Sequence, residues 1–232
     1  MNKQQLIQEV NKEFNNVDLK WSEQIEVYRS FLTGYNQKVN LTRLDDESKI
    51  YGLYFYESII PYKNIDFSKI KSILDIGSGS GIPGIVLKIL FPHIHLGIIE
   101  SNNKKVTFLK ELINKLNLKN VDIYLKRAED IKQDEYESYD LVTSRAVGKL
   151  KPMLEVSTPY AKIGGLIIIP KSQNYQQETN GLYHLNRSLD VQQSMNQFVS
   201  KNGIQHNVFV FKKLHKTNRM YPRAWSKIAK EN

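Results

Sequence analysis

The stretch Ile73-Leu74-Asp75-Ile76-Gly77-Ser78-Gly79-Ser80-Gly81-Ile82-Pro83-Gly84 reads as an apolar strand closed by an acid, then a glycine turn, then the start of a helix. Glycines at alternate positions let the backbone approach a ligand where a β-carbon would collide, and a helix behind such a turn offers N–H groups that lack intrahelical partners. A ligand is therefore expected at the carboxyl end of this strand. The spacing excludes two ligand classes. A dinucleotide fingerprint G-x-G-x-x-G starting at Gly77 needs its third glycine where Ile82 stands, and a triphosphate loop needs Lys and Ser or Thr where Ile85 and Val86 follow Gly84.

Downstream of this turn, short apolar runs alternate with amphipathic stretches, the pattern of an α/β fold with a parallel sheet and crossover helices. Strands are predicted at Ser72 to Ile76, Leu96 to Glu100, Val121 to Leu125, Asp140 to Ser144 and Leu166 to Ile169. Helices are predicted at about Ile82 to Phe91, Lys104 to Leu116 and Lys149 to Tyr160, the second carrying Val106, Leu109, Ile113 and Leu116 on one face. The crossover from Lys126 to Tyr139 is too short and polar for an assignment. Beyond Lys171 periodicity weakens, with a helix near Tyr175 to Leu189 and a strand over His206 to Phe211 that runs into a basic tail holding Tyr221-Pro222-Arg223.

Upstream, Trp21, Ile25, Tyr28, Leu32 and Tyr35 recur on one helical face. A second helix is predicted to start at a cap on Asp45 or Asp46 and to carry Ile50, Leu53, Tyr54 and Ile60 as its stripe until Pro61, with Asn40-Leu41-Thr42 as the hinge between the two. The expected organisation is a helical extension over residues 1–66 and an α/β domain over 67–232.

Composition narrows the chemistry. The chain has 232 residues, 41% of them hydrophobic and 25% charged, enough to bury a full core. With no cysteine, disulfide scaffolds, zinc knuckles and thiol nucleophiles are out, and a cytoplasmic setting is expected. The five histidines never take a ligand spacing, so no metal is expected. No long apolar run occurs, and Met1 to Val10 is polar and helical, so neither a membrane span nor a secretion signal is expected. The net charge of +9 is unevenly spread: residues 1–66 hold eight basic and ten acidic residues, whereas the last 32 residues hold eight basic residues against Glu231 alone. Such a surplus suits a polyanionic partner.

An acid closing the first strand before G-x-G-x-G, with Glu100 closing the second, resembles the class I S-adenosylmethionine-dependent methyltransferases. That resemblance implies a Rossmann-like, mostly parallel seven-stranded sheet, with Asp75 near the methionine end of the cofactor and Glu100 accepting from ribose hydroxyls. The alternative reading is a generic turn with Glu100 as a solvated strand end. Two subclasses are disfavoured, because no Asn/Asp-Pro-Pro-Tyr motif follows Tyr139-Asp140-Leu141-Val142 and no thiol is present.

Tyr35-Asn36, Asn40-Leu41-Thr42, the glycine turn, Lys104 to Leu109, Arg127-Ala128-Glu129-Asp130, Ser144-Arg145-Ala146, Pro170-Lys171 and Tyr221-Pro222-Arg223 occur in an order that resembles the RsmG (GidB) family. The resemblance covers about residues 25–225. It implies methylation of N7 of a guanine in the decoding-region hairpin of bacterial 16S ribosomal RNA, by a monomer acting on that RNA or on the small ribosomal subunit, with S-adenosyl-L-methionine as cofactor. Cofactor contacts are implied at Gly77, Gly79, Gly81, Ile82, Ala128, Glu129 and Arg145. The family's usual H-F-x-D-S stretch is here Tyr54-Phe55-Tyr56-Glu57-Ser58, without the His and Asp.

Arg145 is the residue most expected to act in the site, clamping an RNA phosphate or the cofactor carboxylate; its alternative is an ion pair with Asp140 or Glu129. Lys171, Tyr221 and Arg223 are candidates for RNA contact, with Tyr221 or Tyr54 stacking on an exposed base. Two other functions stay open from the residues: a methyltransferase for a small molecule or protein, and a non-catalytic RNA-binding protein on the same fold.

Overall fold

Apolar spacing decides where the first helices form. In α1 (Lys3–Glu13) Leu6 and Val10 are buried and Asn2 closes the helix start with a capping box to Gln5. In α2 (Trp21–Asn36) Trp21, Ile25, Tyr28 and Leu32 are buried, as expected from their spacing, and Tyr35, the last residue of the expected face, is half-buried. Helices of this length draw most of their stability from such a packed face rather than from propensity. The computed structural model describes residues 1–36 and 46–231; the expected hinge Asn40-Leu41-Thr42 and Asp45 lie outside the described residues.

Asp46 caps α3 (Glu47–Lys49), its carboxylate accepting from the Ser48 and Lys49 amides. The chain then widens into a π segment, Ile50–Tyr56, and leaves through α4 (Glu57–Ile59) and a 3-10 turn at Ile60–Tyr62. This corrects the expected α-helical stripe. The i→i+5 winding turns Leu53 outward, 39% exposed, and buries the other residues of the segment.

The strands and their helices follow as β1 (Ser72–Ile76), α5 (Gly84–Leu90), β2 (His95–Glu100), α6 (Asn103–Lys115), β3 (Val121–Leu125), β4 (Tyr139–Thr143), α7 (Leu150–Ser157), β5 (Ala161–Lys171), α8 (Leu182–Ser188), β6 (Val191–Val199), β7 (Gln205–Lys213) and α9 (Trp225–Ile228). Seven strands form a sheet in the order β3-β2-β1-β4-β5-β7-β6. The β2–β3, β1–β4 and β4–β5 pairs are parallel, and β7 is antiparallel to both β5 and β6. This is the Rossmann-like, mostly parallel architecture that the sequence implies.

The chain forms two compact units, residues 1–71 with 78–125, and residues 72–77 with 126–232. In the first, α2 packs with α5 and α6, and the π segment with α1. In the second, Ile73, Leu74, Leu141, Val142, Ile167, Ile168, Val208, Phe209 and Phe211 are at most 1% exposed and form the apolar centre. Each such side chain contributes about 1.5–3 kcal/mol by leaving water. Among the described residues no helix is long and apolar enough to cross a membrane.

Three details differ from expectation. β5 is longer than the predicted Leu166 to Ile169, running to Lys171 on one side and Ala161 on the other. The predicted helix over Tyr175 to Leu189 breaks into a 3-10 turn at Tyr175–Glu178 and α8, because Gly181 takes φ 73 between them. β6 had no prediction: as the last strand in the order it has a free edge, and its Gln192, Gln193, Ser194 and Gln197 are exposed, so no apolar alternation marks it.

Candidate functional site

In the first unit, β2 ends in Glu100, which is buried, 6% exposed, rather than solvated. Its Oε2 accepts from the Gly79 amide at 3.0 Å and its Oε1 from the Asn102 amide at 2.9 Å. The structure therefore joins two residues that the motif places 21 positions apart. A carboxylate has about four lone-pair sites. With one protein donor on each oxygen, acceptor capacity remains on both, which suits a vicinal diol better than a single hydroxyl. Asn102 also accepts from the Lys104 and Lys105 amides and so starts α6 directly behind Glu100.

The glycine turn is held from within the same unit by two tyrosines that the sequence reading did not assign to it. The Tyr54 hydroxyl lies 2.7 Å from Ser80 Oγ and donates to the Ser80 carbonyl at 3.0 Å, and the Tyr28 hydroxyl also donates to that carbonyl. Both rings are at most 4% exposed. Tyr54 is thus a buried brace and not an exposed stacking surface, which corrects the expectation that it could meet a base. Gly81 shows why the turn needs glycine here: its φ is 103, and a β-carbon would come within 2.6 Å of the Tyr28 hydroxyl. The Gly81 and Ile82 amides both bond to the Ser78 carbonyl, at 2.9 and 3.1 Å, and Ile82 is half-buried.

A measurable consequence follows. Tyr54→Phe keeps the ring and removes the hydroxyl, so a buried hydrogen bond worth about 1 kcal/mol is lost and KM for the ligand of the turn is expected to rise about fivefold with little change in kcat. Ser80→Ala should add less than its separate effect when combined with Tyr54→Phe, because both changes cut the same contact. Additive effects in steady-state kinetics would remove Tyr54 from the support of the turn.

In the second unit, Asp75 closes β1 fully buried, in register with Thr143 of β4. Gly77 follows with φ 72, and a β-carbon there would collide with the Val147 side chain in the loop after β4. Arg145 lies in that loop, half-buried, just before Ala146 with φ 56. Of the two acids named as its alternative partners, Asp140 carries Lys162 at 2.6 Å and the Ser72 hydroxyl at 3.0 Å, and Glu129 carries Arg127 at 3.2 Å.

The loop after β3 is fixed by a residue that sequence reading passed over. Tyr160, 1% exposed, donates its hydroxyl to the Ala128 carbonyl at 2.8 Å, and burial pushes the pKa of that phenol well above its ordinary value. A tyrosine that stays protonated is a dependable donor. It leaves the Ala128 amide and the second lone pair of its carbonyl as the groups a base edge could meet.

The three RNA candidates are also in the second unit. Lys171 Nζ is 2.7 Å from Glu178 and donates to the Gly148 carbonyl at 3.0 Å. Arg223 meets Glu155 through Nε at 3.0 Å and Nη2 at 2.7 Å. An RNA phosphate would have to compete with these carboxylates. Tyr221 is half-buried, and its carbonyl accepts from the Tyr136 hydroxyl at 2.9 Å. Among the described residues no group of three His, Asp or Glu side chains is placed to hold a metal ion.

Comparison with known proteins gives a consistent result. A family model described as rRNA small subunit methyltransferase G (GidB) matches residues 21–208. The ribosomal RNA small subunit methyltransferase G of Malacoplasma penetrans is 42% identical over 231 residues, covering 98% of both chains. That of Ureaplasma parvum serovar 3 is 40% identical over 210 residues, 89% of this chain and 98% of that one. That of Bacillus subtilis is 35% identical, covering 87% of this chain and 86% of the relative. Among solved structures, an O-methyltransferase from Bacillus cereus in complex with SAH covers 89% of this chain and 96% of its own, with a TM-score of 0.59 at 17% identity, a likeness of fold alone.

Proposed function

The chain belongs to the GidB family of rRNA small subunit methyltransferases G, and from that premise we propose that it transfers a methyl group from S-adenosyl-L-methionine to N7 of a guanine in the decoding-region hairpin of 16S ribosomal RNA. It would do so as a monomer, in the cytoplasm, on the RNA or the small ribosomal subunit. The observation that carries the cofactor part of this reading is the bond from the Gly79 amide to Glu100, which leaves a buried carboxylate with acceptor capacity on both oxygens.

When bound, S-adenosylmethionine supplies an electrophilic methyl group on a positively charged sulfur. Glu100 would take the ribose hydroxyls, Asp75 would lie toward the methionine end, and Gly77, Gly79, Gly81 and Ile82 would form the turn beside it. The backbones of Ala128 and Glu129, held by Tyr160, would line the adenine. Guanine N7 has a lone pair and carries no proton, so the residues around it need remove none. Their work is to hold N7 in line at near-attack distance, where correct orientation is worth several orders of magnitude in rate. This is why Tyr54 can stand where the family usually has a His without depriving the reaction of a base.

Arg145 would position the acceptor, by a two-pronged bond to an RNA phosphate, or the methyl donor, by the same bond to the cofactor carboxylate. The experiment is methyl transfer from labelled S-adenosylmethionine to small subunits and to naked 16S RNA from a strain lacking this gene, with the product nucleoside identified by mass spectrometry. Labelled 7-methylguanosine is expected, with Arg145→Ala folding normally and at least about tenfold slower, the loss of one charged hydrogen-bonding group. No transfer to either substrate by a chain that binds the cofactor would sink the reading; undiminished transfer by Arg145→Ala would take that residue out of the site.

A further inference from the structure

Two arginine–aromatic stacks connect the C-terminal segment to the loop after β3. The Arg127 guanidinium lies 5.6 Å from the centroid of the Trp225 indole, and Arg219 lies 4.3 Å from that of Tyr136. Tyr136 in turn donates to the Tyr221 carbonyl. The segment is fastened by the Arg219 stack, by this hydrogen bond and by Arg223 on the buried Glu155, yet Trp225 remains 38% exposed, Met220 58%, and the Arg127 side chain 54%. An anchoring tryptophan gains by burying its large apolar surface. This one keeps much of its surface in water, in a stretch of chain that also carries Arg219, Lys227 and Lys230, all exposed, and the last 32 residues of the chain hold one acid.

We infer that Trp225, its ring plane held by Arg127, is a stacking platform for an unpaired base of the RNA substrate, with Arg219 and Lys227 drawing in the adjoining phosphates. The inference rests on the RNA reading above and adds to it a site of contact. An indole matches the flat face of any base, and a ring already held in place gives up little rotational freedom on binding. The cations answer to the phosphates on either side of a stacked base. An acidic protein would satisfy the lysines but offers no reason for the exposed indole among them. Arg127 immediately precedes Ala128 and Glu129, so the platform adjoins in sequence the residues assigned above to the adenine.

The chain has two tryptophans, and Trp21 is 4% exposed, so Trp21→Phe leaves Trp225 as the sole indole reporter. The test titrates that variant with a single-stranded RNA oligonucleotide and, separately, with inorganic polyphosphate of matched charge. RNA is expected to quench Trp225 emission and polyphosphate is not. Trp225→Ala should weaken RNA binding about tenfold, and Trp225→Phe should recover most of the loss, since stacking energy follows the aromatic ring. The midpoint shift caused by S-adenosylhomocysteine should be the same in every variant, which shows that each is folded. Equal quenching by polyphosphate, or undiminished RNA binding by Trp225→Ala, would overturn the platform alone. Failure of the unsubstituted chain to bind RNA while it binds S-adenosylhomocysteine would instead overturn the RNA reading beneath it.

Discussion

Glu100→Gln is expected to bind S-adenosylhomocysteine about a hundredfold more weakly than the unsubstituted chain while still folding, because hydrogen bonds to a charged group are worth about 1.5–3 kcal/mol each and two would be compromised. The substitution keeps the shape of Glu100 and removes its charge. Of the two amides that now bond to the carboxylate, Gly79 and Asn102, only one could face the new amide oxygen; the other would face an NH2 group, donor against donor. The turn then loses its tie to β2, or α6 loses part of its start. The free chain should lose about 1–2 kcal/mol of stability from that mismatch alone. Ligand binding adds a larger deficit, since the one oxygen that remains carries no charge and the NH2 group cannot accept from a ribose hydroxyl at all. Thermal unfolding with and without ligand separates the two effects by mass action. A Glu100→Gln midpoint that rises with S-adenosylhomocysteine as much as that of the parent would show that Glu100 only braces the turn. Glu100→Asp retains charge but pulls the carboxylate back by a methylene, and should fall between the two.

What could be read in the sequence was what is local in the chain. The strand, the closing acid and the glycine spacing from Ile73 to Gly84 are contiguous, and the apolar period of α2 survives in plain residue order; in α6 Val106 and Leu109 are buried as expected, but so are Phe108 and Leu112, while Ile113 is only half-buried. The partners of the turn are not contiguous: Tyr28 and Tyr54 reach Ser80 from 52 and 26 residues away, and nothing in the stretch around either tyrosine distinguishes a hydroxyl that holds a loop from an aromatic ring that fills a core. Charge counting fails in a related way. Lys213 counts toward the basic tail, yet the alternation of β7 leaves Lys212 exposed and turns Lys213 inward, 0% exposed. There its ammonium group bonds to the Ala161 and Thr158 carbonyls at 2.9 and 3.2 Å and lies 3.4 Å from Glu137, and burial pulls its pKa below the ordinary lysine value. Composition reports how many cations a segment has; only the strand register decides which of them face water. β6 is the converse case, an ordered strand whose polar residues sit at a free edge and so carry no apolar signal.

Arg223→Ala is expected to lower the thermal midpoint by about 6–12 °C, the equivalent of about 3 kcal/mol in a chain of this size. Glu155 lies on α7 with 1% of its surface exposed, and Arg223 supplies three donors to it: the backbone amide at 2.8 Å, Nε at 3.0 Å and Nη2 at 2.7 Å. Removing the side chain leaves a buried carboxylate with one of the three, and an uncompensated charge in that position costs far more than the pair gains over two well-packed apolar residues. Arg223→Lys keeps the charge without the planar fork and should recover only part of the loss. Glu155→Met combined with Arg223→Met removes both charges together and should recover more than Arg223→Ala alone, because no orphan remains. This series also separates bracing from RNA contact, which the sequence leaves equally open for Arg223. A brace that holds the tail should leave RNA affinity in the double variant close to that of the parent, with an unchanged dependence on salt. A phosphate contact predicts the reverse: a midpoint that hardly moves on Arg223→Ala, and a log-log salt slope for RNA binding that is shallower by about 0.7, the contribution of one cation on a single strand. The geometry favours the first outcome, since three donors already converge on one buried acid.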